Sequence, residues 1–151
     1  MHGNAGNKND GLTFAPYLMP HGIDLLTFDF SGCGNSEGQW VTLGFKEKDD
    51  LHAVLQHLKE EGRTSKVLLW GRSMGAATTL MYAKEPPLPI AGLVLDSCFS
   101  EFKGVAQHMV SKMGMPVEFF SMMWPSIVQD VNEKTGMNLN KHNPILSCPN
   151  R

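Results

Sequence analysis

The sequence predicts an α/β fold, a parallel sheet of about three strands flanked by helices. Three observations carry this reading. Short, near-continuous apolar runs occur at 24–30 (DLLTFDF), 66–71 (KVLLWG) and 90–96 (IAGLVLD). Segments of helical periodicity lie between them. The two kinds of segment alternate along the chain, which is the pattern of helix-covered parallel sheets with right-handed crossovers. Strands buried on both faces read as unbroken apolar runs rather than as alternating ones.

Each element follows in order. Phe14, Tyr17 and Leu18 mark a first helix that ends near Pro20 and Gly22. The first apolar run, 24–30, is read as a strand. Leu51, Val54, Leu55 and Leu58 then recur at i, i+3, i+4 and i+7, with Asp49, Asp50, Lys59 and Glu60 turned away and Gly62 placed to cap the helix. The second run is a strand that leads into a helix from Met74 to about Lys84, before Pro86 and Pro87. The third run ends at Asp96. Beyond it the composition changes, and 99–143 holds six of the ten methionines together with Phe102, Phe119, Phe120 and Trp124. This stretch is read as helical, either a lid over a site or plain helix packing. Residues 143–149 read as a loop.

Composition narrows the function. The 151 residues suffice for one domain, and 42% hydrophobic content supports a buried core. A net charge of −2 with no basic cluster argues against nucleic acid or an anionic membrane as partner. Cys33, Cys98 and Cys148 are odd in number and form no CxxC pair, so neither a disulfide framework nor a zinc site is expected. No signal peptide is visible and no apolar run approaches ~18 residues, so no transmembrane helix and a cytoplasmic location are expected.

The chemistry concentrates at Gly71-Arg72-Ser73-Met74-Gly75, a G-x-S-x-G pentapeptide. It stands between a strand and an Ala- and Thr-rich helix, the setting in which such a serine is thrown outward on a tight turn. Glycine is required on either side for steric reasons. The serine also sits at a helix N-terminus, where free N–H groups and the dipole favour negative charge. The N–H of Met74 is therefore a natural oxyanion donor. The bland alternative is an ordinary serine N-cap.

Four landmarks then occur in order: His2-Gly3-Asn4, the turn from Asp29 to Gly38 (DFSGCGNSEG), the pentapeptide around Ser73, and Leu95-Asp96-Ser97-Cys98-Phe99-Ser100. In this order they resemble the α/β-hydrolases, and most nearly the serine aminopeptidase S33-like hydrolases, neighbours of the acyl-protein thioesterase-like enzymes. The resemblance implies a partial α/β-hydrolase domain over 1–151, with 1–100 as the core and 101–143 as the helical segment. It implies a serine hydrolase acting on an ester, thioester or amide through an acyl-Ser73 intermediate, without a cofactor or metal. It also implies Asn4 N–H as the second oxyanion donor, and removal of one such donor typically costs about 2.7–4 kcal/mol of barrier.

A nucleophilic serine needs a base and an acid, in this fold in the order Ser, Asp or Glu, His. After Ser73 the histidines are His108, in a helical stretch, and His142, in KHNP; neither has the context of the resembling family's catalytic His. Asp96, at the end of the next strand, is the candidate for a substitute acid, against a reading in which it makes local backbone hydrogen bonds in the Asp96-Ser97 turn. Met1 alone precedes His2-Gly3-Asn4, and the family's usual acid and His would fall after Arg151. The sequence thus reads as truncated at both ends, with open sheet edges through which copies could associate. The alternative function is a non-catalytic fragment or interaction module.

Two further motifs point elsewhere only weakly. Gly32-x-Gly34-x-x-x-Gly38 is one residue too long for the dinucleotide fingerprint, and no helix opens within it. His52 and His57 are five apart, on different faces of their helix, unlike a zincin pair.

Overall fold

The structure is a computed structural model that describes residues 1–62, 64–82 and 86–147. Cys148, Lys84 and the chain end near Arg151, which figure in the sequence reading, lie outside the described residues.

Two strands form the sheet among these residues, β1 (Val67–Arg72) and β2 (Ile90–Asp96), paired in parallel with Arg72 opposite Asp96. The first helical region is tighter than its periodicity suggests. A 3₁₀ turn over Lys8–Phe14 runs into α1 (Ala15–Leu18) and a second 3₁₀ turn over Met19–His21, closed by Gly22 at φ +70°. Helix α2 (Glu47–Glu61) lies where its leucines place it. Leu51 and Leu55 are buried, and Gly62 ends it at φ +67° with its N–H donating to Lys59 O.

Helix α3 (Met74–Tyr82) is buried at every position from Met74 to Leu80. That explains its run of small residues, because it packs against β1, α2, β2 and residues 144–147 together. Its buried hydroxyls are satisfied internally: Thr78 Oγ1 donates to Met74 O and Thr79 Oγ1 to Gly75 O, both at 2.8 Å. The 99–143 region forms α4 (Phe102–Lys112) and α5 (Val117–Thr135). Phe120, Trp124, Met137 and Leu139 make a cluster of their own here, and Phe45 from the core side packs against it. Met109, Met113, Met122 and Met123 stay exposed.

Where about three strands were expected, the parallel sheet has two among the described residues. Residues 24–30 join no ladder, although Phe30 is fully buried and Phe28 packs on two core clusters. Met1 and His2 occupy the free edge of β1. Met1 donates from its amino group to Trp70 O, Arg72 N–H donates to Met1 O at 3.2 Å, and Phe30 N–H donates to His2 Nε2. The run is apolar enough for a buried strand, but a strand needs a paired neighbour, and no ladder forms along it among the described residues. On the other side, β2 has no neighbour among the described residues, and its Val94 and Leu95 are more than a third exposed.

The glycine turn at 32–38 has a structural use. Gly32, Gly34 and Gly38 all have positive φ, and a Cβ on Gly34 would fall within 2.5 Å of the Asp29 carboxylate. That carboxylate accepts from Lys8 N–H and Asn35 N–H, with Lys8 Nζ at 3.1 Å. Backbone N–H donation from Lys8 and Asn35 holds its pKa down to about 2.

Candidate active site

Strand β1 delivers the pentapeptide to its C-terminal end, where the chain must reverse into α3. The reversal happens at one residue. Ser73 has φ +50°, a left-handed torsion uncommon in any residue but glycine. It is held there from both sides: Ser73 N–H donates to Asp96 O at 2.8 Å, and Ser73 O accepts from Ala77 N–H at 3.0 Å. The flanking glycines leave no room for side chains. A Cβ on Gly71 would lie 2.2 Å from Gly75 C and O, and one on Gly75 would lie 2.7 Å from Met1 O. Such a torsion costs of order 1–3 kcal/mol and persists only where the surroundings over-determine it.

The side chain is half-buried, and Ser73 Oγ makes no hydrogen bond among the described residues. The N–H of Met74, the first residue of α3, donates to no other described backbone group. The same holds for Asn4 N–H. The loop of Asn4 is brought up against the serine: a Cβ on Gly3 would stand 3.7 Å from Ser73 Cβ and from Arg72 O. The Gly3-Asn4 loop and the start of α3 thus both lie next to a half-buried serine.

His2 shapes this loop, a role that the sequence reading did not assign. Its Nε2 accepts from Phe30 N–H at 3.2 Å, so the ring proton is on Nδ1, which donates to Gly3 O at 2.8 Å. The ring is buried against Phe30. Histidine directly before a glycine and next to an apolar run is the signal that could have suggested it.

Asp96 lies beside the serine but is already engaged. Its Oδ1 accepts from Ser97 Oγ at 2.7 Å and its Oδ2 stands 3.6 Å from Arg72 Nε, with about half the side chain exposed. The bond is to a neighbouring side chain rather than to backbone, and Ser97 itself is left-handed at φ +55°. His108 is exposed on α4. His142 is buried, and its Nε2 donates to Leu43 O at 2.9 Å, which ties the end of the helical region to the core. Among the described residues, no histidine nitrogen is hydrogen-bonded to Ser73. His52 Nδ1 pairs with Tyr82 OH, and His57 pairs with Glu61.

Burial pushes the His142 pKa down, with the Leu43 bond and the Glu47 charge opposing it. A lowered folded value means that the folded state binds fewer protons than the unfolded chain just below the ordinary histidine value of about 6.5. Stability is therefore complete above that pH and falls as pH drops through it. Melting temperatures between pH 8 and pH 5 should decline in the parent, and the decline should be shallower in His142→Gln. Parallel curves would remove His142 as its source.

Two surface openings lie in this part of the chain, neither lined by Ser73 itself. One, of about 310 Å³, is lined by Gly3, Asn4, Ala5, Gly6, Asp10 and Arg72. The other, of about 440 Å³, lies past Ser97 at the start of α4.

Comparison with known proteins bears on this geometry. Residues 1–144 match the family described as serine aminopeptidase, S33. YqkD of Bacillus subtilis (strain 168) is 35% identical over 83 residues, 54% of this chain and 27% of that protein. A proline iminopeptidase of Saccharolobus solfataricus is 28% identical over 109 residues, 72% of this chain and 35% of its own. The solved structure of a Pyrococcus furiosus esterase superposes with a TM-score of 0.62 at 28% identity, over 83% of this chain and 51% of the esterase. The chain spans about half or less of the length of each of these proteins.

Proposed function

This chain belongs to the serine aminopeptidase S33 family and has a partial α/β-hydrolase fold, and from that premise we propose that Ser73 is the nucleophile of a serine hydrolase. The observation that carries the proposal is the left-handed torsion at Ser73, held between two glycines that tolerate no side chain. A hydroxyl needs no such corner to cap a helix, but it does need one to project from the end of a buried strand.

The reaction is acyl transfer from an ester, thioester or amide. Ser73 Oγ forms a bond to the substrate's carbonyl carbon. The carbonyl π electrons move to oxygen, and the N–H groups of Asn4 and Met74 receive the resulting anion. Collapse breaks the bond to the leaving alcohol, thiol or amine, which departs with the serine proton. Water then attacks the acyl-serine, and the acid is released with Ser73 restored. The esterase and iminopeptidase names among its relatives fit this range of leaving groups.

The serine proton needs an acceptor. Asp96 is the candidate acid to orient such a base, and its bonds to Ser97 and Arg72 would have to be shared for it to do so. The bare Ser73 hydroxyl favours a second reading, a chain without turnover. A fluorophosphonate probe separates the two. Under the first reading Ser73 is phosphonylated and Ser73→Ala abolishes the adduct. Hydrolysis by the chain alone should then reach only the level left by an oxyanion site without its base, ~10³–10⁴ over water. If the probe reacts with Ser73 no faster than with the chain's other serines, the chain is non-catalytic.

A further inference from the structure

We propose that the tip of the α4–α5 hairpin, residues 109–123, docks this chain onto a lipid surface of low net charge, a zwitterionic phospholipid bilayer. The inference concerns a binding surface and does not depend on the role of Ser73.

The tip is apolar on two sides at once. One side of α5 carries Phe120 and Trp124 into the cluster with Met137 and Leu139. The other side carries Phe119, Met122 and Met123, at i, i+3 and i+4, and all three are exposed. Met109 and Met113 of α4 are exposed as well, one turn apart, and Met113 and Met122 reach 82% and 70%. Nothing in the fold covers this end, because among the described elements α4 and α5 pack only on each other. The opposite end of the hairpin is the tied one. Trp124 Nε1 donates to Asn140 Oδ1, and His142 Nε2 donates to Leu43 O.

Polarity, charge and backbone satisfaction all point to lipid as the occupant. Polarity changes along the axis of one helix face. The face of Phe119, Met122 and Met123 continues at the same spacing as Ser126, Asp130 and Glu133. A protein interface has an apolar centre ringed by polar residues, whereas a step along one axis matches a planar boundary between hydrocarbon and water. The apolar part of α5, from Val117 to Met123, is about 10 Å long, which is the depth to which interfacial elements sink. Lys112 and Glu118 are the only charged residues among 109–123, so the tip is neutral overall and gains nothing from an anionic surface.

The turn at the tip satisfies its own backbone. The N–H groups of Met113, Gly114 and Met115 donate to carbonyls of residues 109–111, and Pro116 has no N–H. The first N–H groups of α5, on Val117, Glu118 and Phe119, have no intrahelical acceptor. Ester and phosphate oxygens would supply one, which holds the tip at the headgroup level. No described helix is long and apolar enough to cross a membrane. The unbranched methionines conform to an irregular fluid surface.

The test uses the full chain and phosphatidylcholine vesicles. Hydroxyl-radical footprinting, read by peptide mass spectrometry, follows each methionine, with exposed Met19 as the reference. Vesicles should slow oxidation of Met113 and Met122 roughly threefold or more relative to Met19, as the tip enters the interface. The variant carrying Met113→Ser and Met122→Ser should partition onto vesicles about tenfold more weakly or worse, since each methionine withdrawn from water contributes roughly that factor. Should this variant fail to fold, the footprint of the parent decides alone. Equal protection of Met19, no vesicle binding, or unchanged partitioning of the folded variant overturns the proposal. Binding confined to phosphatidylserine vesicles and abolished by salt overturns it too, because charge would then be the cause. Protection of Met113 and Met122 that rises with protein concentration in the absence of vesicles identifies a second copy of this chain as the occupant, and overturns it likewise.

Discussion

Alanine at Gly71 is expected to cost about 3 kcal/mol or more of folding stability and to suppress labelling of Ser73 in whatever remains folded. The added methyl would lie 2.2 Å from the carbonyl carbon and oxygen of Gly75 and 2.5 Å from Ala76 N. All three atoms are backbone in the first turn of α3, so no rotamer change relieves the clash. Either β1 and α3 move apart, which opens a helix buried at every position from Met74 to Leu80, or the turn between them deforms. Both displace the Ser73 hydroxyl from the turn that Gly71 and Gly75 define. Urea unfolding measures the first effect, and the rate of fluorophosphonate labelling measures the second. An alanine variant with the parent's midpoint and labelling rate would show that strand and helix do not cross as closely as described.

The second large effect is expected at Glu47. Its side chain is 1% exposed, and its carboxylate accepts from Thr42 N–H at 2.6 Å, Thr42 Oγ1 at 2.8 Å and Gly44 N–H at 2.8 Å. Glutamine would turn an amide NH₂ toward groups that are already donors. Hydrogen bonds to a charged group contribute about 1.5–3 kcal/mol each, and a buried donor left alone costs about 1–3 kcal/mol. Glu47→Gln should therefore lose about 2–4 kcal/mol. The damage should also have a direction. The 42–46 turn holds Leu43 at φ +53°, and Leu43 O accepts from His142 Nε2. Loosening this turn should speed amide hydrogen exchange in α4 and α5 more than in α2. Uniform acceleration, or a melt unchanged from the parent, would show that Glu47 does not anchor the helical region.

What could be read from the residue order was whatever depends on near neighbours. The leucines at 51, 55 and 58 mark α2, Gly62 marks its end, and the glycines on either side of Ser73 mark the turn. Each is decided within a few residues. The misreading at 24–30 has the opposite origin, because strand character is a property of pairs and apolar content says nothing about who lies alongside. His2 acts on Phe30 across 28 positions, and His142 acts on Leu43 across 99. Periodicity carries no trace of either. Glu47 looks like an ordinary acidic residue in the first turn of a helix until the fold buries it under Thr42 and Gly44. At Asp96 two roles were open from sequence, and the residue order could not show that its carboxylate accepts from the Ser97 hydroxyl rather than from backbone.

The torsion at Ser73 also limits what mutation can put at this corner. A second heavy substituent on Cβ, as in threonine or valine, is strongly disfavoured in the left-handed region, whereas an unbranched Cβ is tolerated. Exchange of a primary alcohol for a thiol is sterically open here, and exchange for a secondary alcohol is not. Any drift in the chemistry of this position is thereby confined to side chains unbranched at Cβ.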